Sequence, residues 1–376
     1  MSILRTQKVT PLDGETDLIL GDSGDTVTIP AGTTIVNSGT ATGFGGDAIT
    51  KSASDPAIDT NPAGGVGTVF LNTTSGEMFS CTDATDGFNV WTNTGDGTGN
   101  IQLIEGAGGT TNTYTVGATS YKSHTFTSSG TFTATNLPDG VDIMICAGGG
   151  AGGVWHAGGG GAGGMKVLTG VTASAGTSYS IVIGAGGAGG TSVVGSNGTD
   201  SSALSNSCLG GGRGGSYDAN IGPAVGGSGA GGTGTTVSAY YTGAAGTAGQ
   251  GNAGGNGPNN HSGGGGGGKG SVGVASVNTT SGADGGQGLN NLYSTGSDIM
   301  YSGGGAGGAW GAQSIHKGVG FGGGGDGSYS NNSGAPTAGA VNTGGGGGGN
   351  GGQGSATSYA AQTTGGSGIV VIRYQV

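Results

Sequence analysis

Cysteine, proline and charge are all scarce in this chain. It has 3 Cys, 8 Pro and 8% charged residues in 376 positions. Three scattered cysteines cannot form a disulfide framework, so we expect buried or simply free thiols. Eight prolines are too few for a collagen triple helix, which also needs glycine strictly at every third residue. No apolar run approaches the roughly 20 residues of a membrane-spanning helix, and the first residues lack the apolar stretch of a signal peptide.

Positive charge is also scarce, and the negative charge is concentrated in one part of the chain. The formal net charge is −11 at pH 7. Residues 1–147 carry fifteen acids and four bases, whereas residues 148–376 carry five of each. This change indicates a domain boundary near Ala147. The lack of a basic patch argues against nucleic-acid binding and against a polybasic membrane contact.

Glycine, in contrast, is abundant, with 101 residues. Runs such as Gly263–Gly268 and Gly344–Gly349 are unsuited to an α-helix, because each glycine costs about 1 kcal/mol relative to alanine. Bulky residues recur between the runs, which is not typical of a flexible linker. We therefore predict that residues 148–368 form a bundle of extended, left-handed threefold glycine helices (polyglycine II). Their backbone groups can bond to neighbouring helices because no Cβ atom stands between them.

Short alternating apolar runs bounded by turn residues predict β-structure elsewhere, with almost no α-helix. We expect an all-β chain that carries the polyglycine-II bundle. Its regions are an N-terminal β attachment and oligomerisation region (1–45), a linker (46–65), a small β-meander (66–104), a second linker (105–118) and the glycine-rich domain (119–376). The β base of that domain comprises 119–147, 165–183 and 369–376. The simplest closure pairs the last strand, Ile369–Tyr374, with the earlier strands of the base.

Four segments carry a family resemblance. They are 124–133 (HTFTSSGTFT), 141–150 (VDIMICAGGG), 179–187 (YSIVIGAGG) and the closing 366–374 (GSGIVVIRY). This order resembles the glycine-rich domain of bacteriophage tail-fibre proteins. Residues 71–85 also look like a module of aquatic phage fibres. The resemblance implies a polyglycine-II architecture similar to the tip adhesins of some long-tail-fibre phages, here joined to an N-terminal β-structure.

Motifs for catalysis or cofactor binding are weak. Gly184–Gly189 matches GxGxxG after a strand, but residues 191–200 cannot begin the helix that a dinucleotide site needs. Gly263–Lys269 imitates a phosphate-binding loop, but Gly270 stands where Ser or Thr would ligate Mg²⁺. The histidines lack zinc-site spacing, and residues 148–376 contain no Glu and only isolated Asp residues in turn-like contexts. We expect no enzyme activity, no cofactor and no metal site.

The bulky insertions between glycine runs are the candidate recognition residues, because a glycine lattice has no room for large side chains. Capping of the helix ends is the alternative interpretation. Division of 148–368 into about twelve tracts that alternate in direction predicts which insertions lie opposite the C-terminus. That predicted set is Trp155, His156, Tyr240, Tyr241, Trp310, Ile315, His316, Lys317 and Tyr359. Its mixture of aromatic and polar residues is typical of adaptable binding surfaces.

The function that the resemblance implies is host recognition without catalysis, by a phage tail-fibre adhesin. Its partners would be a bacterial surface receptor (an outer-membrane protein or a polysaccharide) and other tail or baseplate proteins. We expect a homotrimer through the N-terminal region, located in the virion and made in the host cytoplasm without a signal peptide. The alternatives are a purely structural virion fibre or spacer, and an ice-binding or matrix-like glycine-rich protein.

Overall fold

The computed structural model of the chain is all-β, as predicted, with almost no α-helix. It divides into two compact units, Met1–Ile101 and Gln102–Val376. The predicted N-terminal region 1–45 lies outside the described residues. No helix within the described ranges is long and apolar enough to cross a membrane. The described residues are 49–94, 105–137, 140–190, 195–217, 221–235, 241–257, 261–277, 281–310, 317–329, 334–352 and 363–376.

The smaller unit contains one four-stranded sheet in the order β1-β2-β3-β4. Three of its strands are those of the predicted meander, and their core contains Phe70 in edge-to-face contact with Trp91, at 5.5 Å between ring centroids. The fourth strand, β1, lies inside the stretch predicted as a linker and pairs in parallel with β2. The strands are β1 (Thr50–Ser52), β2 (Val69–Asn72), β3 (Met78–Asp83) and β4 (Val90–Asn93).

The larger unit has a β base of two sheets. A five-stranded sheet has the order β10-β9-β16-β7-β6, and a three-stranded sheet has the order β11-β8-β5. The last strand lies between β9 and β7, which confirms the predicted closure. The strands are β5 (Glu105–Ala107), β6 (Thr110–Val116), β7 (Thr119–Phe126), β8 (Gly130–Asn136), β9 (Val141–Cys146), β10 (Met165–Val171), β11 (Thr177–Ile181) and β16 (Ile369–Gln375).

Two of these strands occupy residues 105–118, which the sequence predicted as a linker. β6 pairs with β7 over seven residues at the edge of the five-stranded sheet. Its side chains are mostly exposed threonines, so the strand lacks the apolar alternation on which the prediction relied. Tyr114 is its one half-buried aromatic residue, and its hydroxyl donates a hydrogen bond to the carbonyl of Tyr293 at 2.6 Å.

The bundle that leaves this base is a hexagonal lattice of threefold helices. The first glycine tract continues directly from β9, and its N–H groups donate to three different neighbours with a period of three residues. Gly150 and Gly153 donate to one antiparallel tract, at the carbonyls of Gly161 and Gly158. The intervening residues donate to two further tracts, and three more tracts donate to its carbonyls. A period of three with bonds on six sides is the geometry predicted for polyglycine II.

The lattice requires glycine because of contact between backbones. A Cβ atom on Gly149 would lie 2.0 Å from the carbonyl oxygen of Gly345, and one on Gly150 would lie 2.0 Å from that of Gly212. Real Cβ atoms do not approach this closely. Glycines with positive φ occur in turns, such as Gly249 and Gly296, or at the first residue of a tract, as Gly334 and Gly344 do. Glycine is therefore required in the tracts because it has no Cβ atom.

Eighteen tracts can be traced through the described residues, and not the twelve that the glycine runs predicted. The six additional tracts contain no run of more than two glycines and lie at the outside of the lattice, so the runs did not reveal them. The tracts, numbered 1 to 18, are 147–154, 157–164, 183–190, 195–200, 209–215, 222–227, 228–235, 241–247, 251–257, 262–269, 271–277, 281–288, 302–309, 317–321, 324–329, 334–341, 344–352 and 363–368. Both counts are even, so the chain returns to the base in either case.

Two short hairpins at the base interrupt the series of tracts. β12 (Ser201–Ala203) and β13 (Asn206–Cys208) form one, and β14 (Leu289–Asn291) and β15 (Ile299–Tyr301) form the other. The first hairpin corrects the prediction that the whole connection 191–209 lies at the far end of the bundle. Leu204 and Cys208 are buried in the core of the base together with Ile145. The hairpin therefore returns apolar side chains to the core of the base.

Outer tracts use side-chain oxygens where the lattice offers no further neighbour. The carboxylate of Asp284 accepts the N–H of Val319 at 2.8 Å, and that of Asp326 accepts the N–H of Gly320 at 3.0 Å. Asp200 does the same for Gly210. These aspartates were interpreted from the sequence as ordinary turn residues. The structure corrects this, because their carboxylates replace missing backbone carbonyls at the edges of the lattice.

Candidate functional site

The end of the bundle opposite the base sheets, called the distal end here, begins where tract 1 stops. Trp155 and His156 connect tract 1 to tract 2, and both have left-handed backbone conformations, with φ of 57° and 45°. Such a conformation costs roughly 1–2 kcal/mol for a residue with a Cβ atom. Glycine or asparagine would avoid this cost, and the chain uses glycine freely elsewhere. Two large side chains are thus held at the end of the most enclosed tracts despite backbone strain.

Four ring side chains meet at this end, and we call them the distal ring cluster: His156, Tyr217, His261 and Trp310. His156 lies at its centre, with ring centroids 4.9 Å from Tyr217, 5.4 Å from His261 and 5.3 Å from Trp310. The rings of His261 and Trp310 are stacked at 4.5 Å with an interplanar angle of 16°. Tracts 1, 5 and 13 end here and tract 10 begins here, so the cluster joins residues far apart in the sequence.

Backbone bonds hold the cluster in place. The carbonyl of His156 accepts bonds from the hydroxyl of Thr233 at 3.0 Å and from the N–H of Gly234 at 2.7 Å. The N–H of Tyr217 donates to the carbonyl of Trp155 at 3.3 Å. His156 is buried, whereas Tyr217 keeps 41% of its surface exposed. The cluster is therefore a rigid, partly exposed surface rather than a closed core.

The family described as a glycine-rich domain matches residues 125–375, which is most of the chain. The chain belongs to this glycine-rich domain family. A comparison with curated proteins found no match. The matched range begins in β7 and ends in β16, so the family's domain includes the β base as well as the bundle.

The structure of the glycine-rich domain brings some of the predicted site residues together. Trp155, His156 and Trp310 lie at the distal end, as the alternation of tracts required. Tyr241 begins tract 8 at the same end, where its carbonyl accepts the N–H of Gly257 at 2.7 Å. Lys317 begins tract 14 there and forms an ion pair with Asp326 at 2.6 Å. The predicted residues Tyr240, Ile315, His316 and Tyr359 lie outside the described residues.

The predicted set omitted Tyr217 and His261, which complete the distal ring cluster of the domain. Both were recognised as bulky insertions, but the twelve-tract division placed them at the base. Tract 6 contains Pro223, Ala224 and Val225 and no long glycine run, so it was not counted as a separate tract. Equal spacing of about eight residues between reversals was the signal that could have revealed it, since a tract of this length spans about 25 Å.

The glycine motifs that imitate nucleotide sites are lattice tracts. Gly184–Gly189 lies in tract 3, where a Cβ on Gly186 would stand 1.9 Å from the carbonyl of Gly365. Gly263–Lys269 is tract 10, and Lys269 donates from its Nζ to the carbonyl of Gly249 at 2.7 Å. Within the described ranges, no three His, Cys, Asp or Glu side chains lie close enough to share a metal ion.

Proposed function

We propose that this glycine-rich protein is a bacteriophage tail-fibre adhesin, which attaches to the host surface through the distal end of its bundle. Membership of the glycine-rich domain family and the resemblance of residues 124–133 and 366–374 to tail-fibre domains support the proposal. The bundle acts as a rigid support, and binding involves no chemical step. The receptor is an outer-membrane protein or a polysaccharide of the bacterial surface, and the fibre is a homotrimer joined to other tail proteins.

The observation that carries the proposal is the strained turn at Trp155 and His156. Strained backbone conformations cluster at functional sites, where the surrounding structure enforces them. The tryptophan side chain is half-buried at the end of the lattice, and the imidazole packs against three rings from other tracts. A turn that served only to reverse the chain would be more stable with glycine at both positions.

The proposal predicts that Trp155→Gly weakens host attachment without unfolding the protein. Removal of the half-buried ring costs about 1–2 kcal/mol of burial, and relief of the positive φ returns a similar amount. The melting temperature should therefore change little. The measurement is competition, in which purified protein slows adsorption of the phage to its host cells. Wild-type protein should compete at saturating concentration, and the variant should compete much less.

The matched control is Ser205→Gly at the other end of the domain. Ser205 has φ of 61° in the hairpin turn of β12 and β13 and is exposed. Its replacement relieves the same kind of strain at the base, so it should leave adsorption unchanged. If wild type and both variants compete equally, the Trp155 turn is not part of the binding surface. Failure of the wild-type protein to bind host cells at all would leave the structural spacer as the better account.

A further inference from the structure

The flank of the bundle formed by tracts 11, 12 and 14 is an unfinished edge of the lattice. Tract 11 bonds to three neighbours, through Gly273 to tract 9, through Val274 to tract 12 and from Gly265 of tract 10. The enclosed tract 1 has six. Within the described residues, the carbonyls of Val272 and Ala275 accept no backbone N–H. They are three residues apart, which is the spacing at which a further threefold helix would bond.

Side chains fill the space that such a helix would need. A shallow cleft of about 350 Å³ opens between tracts 11 and 14 above tract 12. The valines that line it include Val274 and Val277, which are one threefold turn apart and are 49% and 85% exposed. On the inner side of the same tract stands Gly273, where a Cβ would lie 2.1 Å from the carbonyl of Gly265. Tract 11 thus presents glycine to the lattice and valine to the cleft.

We infer that Val274 and Val277 keep this edge closed to a glycine helix of a second copy of the chain. At the lattice spacing, a helix placed in the cleft would bring its carbonyl oxygens to about 2 Å from these Cβ atoms. This is the same close approach that a Cβ on an interior glycine would make to a carbonyl oxygen of the next tract. In tract 1, the Cβ of Gly149 would face the same tract that donates to the carbonyl of Gly150. By the same geometry, the two branched side chains prevent the bonds that the carbonyls of Val272 and Ala275 could otherwise accept. An open row of backbone groups is a known route to association of β-sheets, and the same reasoning applies to this lattice.

The occupant excluded is a glycine helix, because the edge continues the same helix-to-helix packing that joins the eighteen tracts of the molecule. Every copy of the chain carries such helices, at high local concentration wherever fibres lie side by side. An open edge would let the bundles join laterally. The inference concerns the side of the bundle and does not depend on the proposed role of its distal end.

The test is the double variant Val274→Gly/Val277→Gly in the full chain. It makes the surface less apolar, so ordinary hydrophobic association should weaken. The inference predicts the opposite, a concentration-dependent, faster-sedimenting species that wild type lacks in sedimentation velocity. The control Val274→Thr/Val277→Thr keeps the branched Cβ atoms while removing apolar surface, and it should sediment as wild type. The Val66→Gly variant, in the smaller unit and 65% exposed at that position, should also behave as wild type.

A second measurement covers the case in which the double variant precipitates. The single variant Val277→Gly removes the more exposed side chain, and a soluble, lysine-flanked nonaglycine peptide is then titrated into it and into wild type. Binding to the variant alone supports the inference. A folded double variant that sediments as wild type, or equal binding of the peptide by wild type and Val277→Gly, overturns it.

Discussion

Alanine shows how strictly the lattice selects its residues one position at a time. Ala151, Ala157 and Ala162 are fully buried within tracts 1 and 2, so a methyl group fits at some interior positions. At most glycines it does not, because the added Cβ would meet a carbonyl oxygen of the next tract at about 2 Å. Whether a methyl group fits therefore depends on which of the six neighbouring tracts the Cβ faces, and not on how deeply the position is buried.

The change Gly346→Ala tests this at one interior position. A Cβ there would lie 2.0 Å from the carbonyl oxygen of Gly160 and 2.8 Å from the N–H nitrogen of Gly305. Overpacking costs about 1–3 kcal/mol and a disrupted hydrogen bond about 1 kcal/mol more. We expect a loss of roughly 2–4 kcal/mol in the free energy of unfolding, measured by chemical denaturation. Gly130→Ala is the control, since its Cβ would contact only Phe126, at 3.7 Å. Equal stability of the two variants would contradict the lattice contact.

His124 makes the stability of the β base depend on pH. Its Nδ1–H donates to the carbonyl of Gly108 at 2.7 Å, and its Nε2 accepts from the hydroxyl of Tyr374 at 2.9 Å, so the neutral ring is fully bonded. Burial lowers the pKa of His124 from the ordinary value of 6.5. The unfolded chain therefore binds more protons as the pH falls below about 6.5, and the native state loses stability there.

We expect the free energy of unfolding to fall between pH 7.5 and pH 5, and to fall less in His124→Gln. The variant removes the titrating group, while the carboxylates contribute equally to both proteins. Urea denaturation at the two pH values measures the difference. The same slope in wild type and variant would show that His124 does not carry the effect.

At the scale of the elements, the apolar strands that close the base were predictable, whereas the edge strands β5 and β6 and the number of tracts were not. The strands that close the base are apolar and alternate, so β9 and β16 could be identified from the sequence with nearly correct bounds. The outer tracts 4, 6, 14 and 16 contact neighbours on fewer sides, so they tolerate side chains and lose their glycine runs. Carboxylates on tracts 4, 12 and 15 accept backbone N–H groups from adjacent tracts, a role that an isolated Asp in the sequence does not reveal.

The distal site was predictable only in part, for the same reason. Trp155 and Trp310 could be placed at one end because the tracts alternate in direction. Tyr217 and His261 could not, because the uncounted outer tracts reverse the direction of the chain before them. When two tracts are missed, the total number of tracts stays even. The connections that lie between the two missed tracts are nevertheless assigned to the wrong end of the bundle.

The capping role of Asp284 predicts a graded response to two substitutions. Its Oδ1 accepts the N–H of Val319 at 2.8 Å. Asp284→Ala removes the acceptor and should cost about 1 kcal/mol, the usual contribution of one such bond. Asp284→Asn keeps an oxygen at the same place and should cost less than half of that. Thermal unfolding of the three proteins distinguishes these values, and an alanine variant as stable as wild type would show that the cap is dispensable.

For the larger unit as a whole, cohesion runs across the tracts rather than along them. A threefold glycine helix has no hydrogen bonds of its own, so no single tract is stable alone. Tracts 1, 2, 7, 10 and 17 bond to neighbours on six sides, whereas tracts 4 and 11 at the outside bond to three. Stability should therefore decrease from the axis of the bundle outward, whatever the distance from the base.

Native-state hydrogen exchange measures this gradient directly. Amides of the enclosed tracts, such as Gly150 and Gly161, should exchange only through global unfolding, because their acceptors lie on tracts that must all separate. Amides of outer tracts should exchange through local opening, and those of Val272 and Ala275, which have no acceptor in the described part of the chain, should exchange fastest. Each exchange rate is divided by the intrinsic rate for its residue type, so that the valine and alanine amides can be compared with the glycine amides. If protection instead followed distance from the β base, with the distal halves of tracts 1 and 2 exchanging as fast as the outer tracts, the bundle would be held by its base and not by its lattice.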